Sequence, residues 1–167
     1  MSAEQLLLIA RETIAQVTWC FAISAAEGGE INARLVQIGK LAEDWSVQFM
    51  TDRRCRKVAE IERSGRLTLA YQHNPDRAYV TLIGGAVTSG DAESKRAVWR
   101  PETYRFHPGG PEDPNNVLVR FTTDRIEMYS GARDVAPEPR GFSAAVLVRT
   151  ASGWRQEASF RSDGQQR

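Results

Sequence analysis

The stretch FMTDRRCRKVAEIERSG, residues 49–65, opens as a buried strand and then sets four cations within five residues: Arg53, Arg54, Arg56 and Lys57. The strand reading runs to Thr51, after which CRKVAEIERSG reads as a short helix ended by Gly65. A strand that passes directly into a helix gathers backbone N–H groups, the positive end of the helix dipole and the nearby side chains around one point, and that point attracts anions. Arg56 and Lys57 fall in the first helical turn, where cations oppose the dipole. Such a placement calls for a reason, and a bound phosphomonoester supplies one. Arg binds phosphate oxygens in bidentate fashion, and Lys acts as a point charge. A solvated helix end is the plain alternative. Nucleic-acid phosphate is a third reading, opposed by the lack of aromatic residues interleaved with the cations.

Outward from this segment the chain reads mainly as strands. Ser2 and Gln5 have capping-box spacing, and Leu6, Ile9, Ala10, Thr13, Ile14 and Val17 recur at helical intervals behind them. WCFAIS, INARLVQI and WSVQFMT then read as an antiparallel meander that turns first at EGGE. RLTLAYQH and AYVTLIGGAVTSG flank the turn Asn74-Pro75-Asp76. The glycines of LIGGAV lie inside a strand and precede no helix, so they mark a bulge or tight corner rather than a dinucleotide fingerprint. DAESKRAVWR reads as a helix capped by Asp91 and stopped by Pro101, and HPGGPEDPNN as an irregular loop. VLVRFTTDRIEMYS reads as a hairpin or bent strand pair, and GFSAAVLVRTASGWRQEA as a last hairpin turning at Ser152-Gly153. Strands in runs with a few short flanking helices predict a mainly β, α+β or barrel architecture. Residues 1–160 are expected to form one domain, with 161–167 a frayed tail.

Bulk properties narrow the function. The chain has 167 residues, of which 41% are hydrophobic, and a formal net charge of +1, so it lacks the broad positive field of a nucleic-acid binder. No apolar run approaches the ~18 residues that span a bilayer, and no secretory leader pattern is present, which predicts a cytoplasmic protein without a membrane partner. Cys20 and Cys55 have no metal or redox-pair spacing and read as free thiols, the first facing the core. Glu112 and Asp113 lack the convergent oxygen ligands of a cation site, and no metal is expected. With only two histidines, no nucleophilic triad can be assembled.

The segment TDRRCRKVAEIERSGRL, residues 51–67, resembles the flavin-phosphate segment of the pyridoxamine 5′-phosphate oxidase-like FMN-binding split barrels. Arg34-Leu35-Val36 precedes it and Leu82-Ile83-Gly84-Gly85-Ala86 follows it, in the order and spacing of that family over residues 15–130. The second half is similar to the general stress protein branch, through Trp99-Arg100-Pro101, the run Phe106 to Pro114, and Ile126-Glu127-Met128-Tyr129. The resemblance implies an antiparallel, Greek-key-like split β-barrel that binds FMN, with FAD or a deazaflavin as alternatives in the same groove. It implies that Arg34, Leu35 and Val36 line the flavin, that Met50 and Thr51 contact its ring or ribityl chain, and that Arg56 and Lys57 hold the phosphate. Tyr79 stands where the oxidases have a Gln that reaches the cofactor, and Cys55 where they usually have Ser.

The Arg-and-His substrate segment of true pyridoxamine phosphate oxidases is not found near the C-terminus, so that activity is not expected. The resemblance instead implies a homodimer with flavin at its interface, passing electrons or hydride to or from a small molecule. A flavin-binding module without turnover, serving as a stress or sensor protein, is the alternative. His107 is read as a solvated loop residue or a proton donor near the flavin. Trp45, Trp99 and Phe106 are read as core or interface anchors or as walls of the ring site.

Overall fold

The computed structural model describes residues 1–136 and 143–157. The expected tail and the start of the last predicted strand lie outside the described residues. Helix α1 (Ala3–Ala15) begins at a complete capping box: Gln5 N donates to Ser2 Oγ at 3.3 Å and Ser2 N donates to Gln5 Oε1 at 2.8 Å. Strands β1 (Trp19–Ala25), β2 (Ile31–Gln37) and β3 (Ser46–Asp52) follow, then α2 (Arg56–Ser64), β4 (Arg66–His73), β5 (Ala78–Ser89) and α3 (Ala92–Val98). A 3₁₀ turn at Pro101–Arg105 leads into β6 (Asn116–Ser130), β7 (Ala145–Thr150) and β8 (Gly153–Glu157).

The eight strands form one antiparallel sheet in the order β2-β1-β4-β5-β6-β7-β8, with β3 also paired to β6. The outer strands of the curled part approach each other where Gly39 N donates to Gln48 O at 3.3 Å, but no ladder joins β2 to β3. The barrel is therefore split. Alternate residues of each strand point inward, and Leu67, Leu69, Val80, Leu82, Phe121 and Met128 fill the interior while α1 adds Leu6, Ile9, Ala10 and Ile14. Cys20 lies in this core, where burial pushes its thiol up to about 12.

The expected hairpin or bent strand pair over residues 117–130 is instead part of one continuous strand of 15 residues, Asn116–Ser130. Residues 122–124 include no glycine or proline to reverse the chain, and the direction change is absorbed by a bulge in β6, where Asp124 is the extra residue opposite Ile83 and Gly84 of β5. At the bend Thr123 uses both its backbone N–H, at 3.3 Å, and its hydroxyl, at 2.6 Å, on the carbonyl of Trp45. One edge of β6 thus serves β3 through residues 116–122 and β7 through residues 125–128. Trp45, 4% exposed, is a core residue whose ring lies 5.6 Å from that of Trp154 and under the guanidinium of Arg11.

The bulge fixes the residue type on the strand that faces it. A Cβ on Gly84 would stand 1.9 Å from the carbonyl oxygen of Thr122, whereas one on Gly85 would meet nothing nearer than 3.8 Å. Gly84→Ala is expected to lower unfolding free energy by about 3 kcal/mol or more, and Gly85→Ala to change it by less than about 1 kcal/mol. Urea denaturation of the two variants beside the wild type measures both, and equal stabilities would show that the bulge tolerates a side chain.

Candidate functional site

Strand β3 delivers the chain to α2 with Thr51 facing inward, 5% exposed, and Asp52 at its end. Arg54 turns back on Asp52 through Nε at 2.9 Å and Nη2 at 2.6 Å, and these bonds hold the Asp52 carboxyl well below the usual range. Arg54 is thereby neutralised locally. The N-cap residue of α2, Cys55, makes no side-chain cap bond, and the first turn holds no acidic residue. The N–H groups that a cap would satisfy are left to solvent or a ligand.

Lys57 turns inward and is 8% exposed. Its Nζ donates to Thr51 Oγ1 and lies 5.6 Å from the centre of the Phe49 ring, while Cys55 Sγ sits 3.4 Å from the same hydroxyl. Among the described residues no carboxylate forms an ion pair with Lys57 or with exposed Arg56. Burial pulls the Lys57 ammonium below its ordinary pKa, which Cys55 opposes and Arg34 reinforces. A buried ammonium without an acidic partner, beside an uncapped helix start, fits a phosphate dianion.

The helix is fastened from its other half. Glu60, one turn beyond Lys57 and 6% exposed, accepts from Ser24 Oγ at 2.5 Å, Asn32 Nδ2 at 2.7 Å and Arg34 Nη2 at 2.9 Å. Burial alone raises the Glu60 pKa, but the hydrogen bonds from Ser24 and Arg34, with the Arg34 charge, hold it below its ordinary value. Arg34 also donates to Ser24 Oγ at 2.5 Å, so its guanidinium ties β2 and β1 to α2. Sequence reasoning passed over Glu60. Its available signal was the spacing that sets it on one helix face with Lys57, Val58 and Ile61, all of them buried.

The remaining expected residues divide by side and by distance. Val36 packs on the core and Leu35 points outward, 57% exposed and opposite Phe21. Met50 and Thr51 are successive strand residues, so their side chains leave opposite faces of β3. Tyr79 stands apart. The end of β5 near α2 is Ser89, which pairs with Leu118 beside the Val117 that pairs with Thr51. Tyr79 lies ten residues before Ser89, at the other end of the strand.

The loop before β6 is anchored rather than freely solvated. Asn116 Nδ2 donates to Gly110 O at 2.8 Å, which leaves Asn116 Oδ1 as the acceptor for His107 Nδ1 at 2.9 Å. Lys95, 1% exposed, donates to the carbonyls of Asp113 at 2.9 Å and Asn116 at 3.0 Å. Trp99 packs edge-on against Tyr104 at 5.3 Å, and Phe106 against Trp19 at 6.5 Å. Glu112 pairs with Arg96, and no cluster of metal-ligating residues occurs among the described residues.

Residues 8–136 match the family described as pyridoxamine 5′-phosphate oxidase like. Among solved structures, a Clostridium acetobutylicum protein related to general stress protein 26 superposes with a TM-score of 0.68 at 20% identity, covering 77% of this chain and 91% of that one. An FMN-binding, pyridoxamine 5′-phosphate oxidase-related protein of Nostoc punctiforme gives 0.62 at 15% identity and covers 95% of both chains. PhzG of Burkholderia lata, in complex with tetrahydrophenazine-1-carboxylic acid, gives 0.67 at 17% identity, covering 96% of this chain and 93% of that one. No curated protein sequence matches significantly.

Removing the Glu60 carboxylate strands Arg34 and Ser24. Glu60→Ala is expected to destabilise the fold by about 3 kcal/mol, the low end for a broken buried pair because Arg34 retains some solvent contact. The sign with pH follows from the lowered folded-state pKa: the ionic contribution is present above the ordinary Glu value and is lost as pH falls through the folded one. The gap between wild type and variant should therefore narrow below about pH 4. Denaturant titrations at neutral and acid pH check this, and a gap that does not change between them would refute the charged role.

Proposed function

The chain belongs to the pyridoxamine 5′-phosphate oxidase-like family, and from that membership and the geometry at Lys57 we infer that it is an FMN-binding flavoprotein. The observation that carries the reading is Lys57, a buried ammonium held by a hydroxyl with no carboxylate ion-paired to it among the described residues. Taking an ammonium out of water costs several kcal/mol unless an anion compensates. In this reading Lys57, Arg56 and the free N–H groups of α2 hold the cofactor phosphate. Arg34 is committed to Glu60 and Ser24, so its part is to fix α2 and shape the groove. In this reading the backbone of β2 at Leu35 and Val36 and the Met50 segment of β3 flank the flavin on either side of the split. When bound, the flavin supplies electron or hydride transfer with a small-molecule partner, and the protein orients it and excludes water.

The distance of Tyr79 from Lys57 supports a second part of the reading. In a twofold pair, Tyr79 serves the cofactor held by the partner subunit, and two equivalent sites form between the chains. The outward face of the sheet suits such pairing. It exposes Leu35 at 57%, Ile31 at 69% and Val87 at 61%. No helix among the described residues is long and apolar enough to cross a membrane.

FMN is expected to bind more tightly than riboflavin by on the order of a hundredfold, since two charge-assisted hydrogen bonds contribute about 1.5–3 kcal/mol each. Replacing Arg56 and Lys57 together by Ala should remove that preference and leave riboflavin affinity nearly unchanged. Flavin fluorescence titrations read both, and equal affinity of the wild type for the two ligands would defeat the phosphate reading.

A cofactor shared between subunits must also tighten their association by the free energy that association adds to its binding. Light scattering over a dilution series, with and without FMN, should show the loaded protein remaining dimeric at lower concentration. Fully loaded monomers would contradict the shared site.

A further inference from the structure

The outward face of the sheet carries a second feature, away from α2. Across one row the paired residues are Leu35, Phe21, Ala70, Thr81 and Glu127, and across the next Gln72, Tyr79 and Tyr129. Successive partners in a row stand side by side on one face, so the small Ala70 and Thr81 between Phe21 and its larger neighbours leave a depression. It measures about 400 Å³, within the size range of small-ligand sites. Phe21 and Tyr79 wall it, and the Tyr79 ring stacks on Tyr129 with centroids 6.3 Å apart and planes at 22°.

The rim is polar and cationic. Gln72 and Asn74 join their side chains at 2.6 Å, and Arg77 closes the cavity at the β4–β5 turn. The guanidinium and Tyr129 Oη each lie 3.4 Å from where a Cβ on Gly131 would stand. No carboxylate or carbonyl among the described residues accepts from the Arg77 side chain. Glu127, the nearest acid in the row, is bound by Arg125 Nε at 2.9 Å. The backbone of Arg77 adds an independent sign. Its φ is +47°, in a turn closed by Arg77 N donating to Asn74 O at 3.0 Å. That conformation suits Gly or Asn, and a long side chain adopts it at a cost in backbone strain. An arginine at a position where the turn favours glycine points to a role for its side chain.

We propose that the cavity between Phe21 and Tyr79 binds a planar aromatic carboxylate, its ring against the two aromatic walls and its carboxylate on Arg77. The walls offer stacking surface without directional demand, and the guanidinium offers a paired, coplanar grip on a carboxylate. The site stands on the geometry of one chain. Its identity as the substrate site of the flavoprotein rests on the reading above, in which Tyr79 lies against the partner's cofactor.

The test uses the full chain freed of flavin, with 1-naphthoate and its neutral isostere 1-naphthalenemethanol as probes, followed by calorimetry or saturation-transfer NMR. Wild type should favour the carboxylate by about tenfold or more. Arg77→Gly, which relieves the turn, should melt at the same temperature or higher while the preference falls to within about twofold. Arg77→Asn, also tolerant of positive φ, serves as a second variant should the first fold poorly. Phe21→Ala should weaken both probes alike. Equal affinities in the wild type, an undiminished preference in both Arg77 variants, or no effect of Phe21→Ala would overturn the proposal. Because flavin is absent, failure here in a protein that binds FMN tightly defeats only this site, and naphthoate binding by a protein indifferent to FMN leaves it standing.

Discussion

A single buried carboxylate governs where the candidate phosphate site stands. Glu60 accepts from β1 through Ser24 and from β2 through Asn32 and Arg34, so three elements meet on one side chain. Hydrogen bonds between charged groups in a protected setting are directional as well as strong, and here they fix both the rotation and the depth of α2. With the helix so placed, Lys57 one turn earlier points inward to Thr51. The cation is presented because the anion behind it is already satisfied. Without Glu60, the Arg34 guanidinium would stand unpaired near Lys57, whose ammonium it already disfavours.

The second constraint is the length of β6. A strand of 15 residues is long enough to accept β3 on one edge and then, past a bend, β7 on the same edge. The bend lies where β6 bulges at Asp124, and opposite it the backbone of Gly84 in β5 approaches Thr122 too closely for any side chain. The curl that leaves β2 and β3 as unpaired neighbours follows from this packing, and the split between them is the groove that the candidate site borders.

Much of this was legible locally. Gly65 ends α2 with φ +65°, Asp91 caps α3 by accepting from Ser94 N at 2.7 Å, and Asn74 to Arg77 make the turn that the sequence suggests. These are signals within a few residues, set by backbone preferences that every chain shares. The bulge opposite Gly84 was legible for the same reason. What escaped was nonlocal. The joining of VLVRFTT and DRIEMYS into one strand depends on partners on both edges, and a charged residue such as Glu60 or Lys95 reads as solvent-facing until the groups that satisfy it are known. The cation cluster was visible, but its division was not: Arg54 serves Asp52, Arg56 faces solvent, and only Lys57 is drawn inside. The resemblance brought Tyr79 into the site, and the register then set it at the far end of its strand from Lys57.

The β7–β8 ribbon has a further consequence for how the chain avoids self-association through its backbone. The ribbon lies past residue 136, where the family match ends, and it pairs with β6 over residues that include the buried Ile126 and Met128. Without it, the second half of β6 would present a bare row of N–H and C=O groups flanked by apolar side chains, a template onto which any other extended chain could add. The ribbon ends that row with β8, a short strand in which Arg155, Gln156 and Glu157 supply charge and polarity at the new edge. It acts as a guard against strand addition, moving the open edge of the sheet from an apolar strand to a polar one.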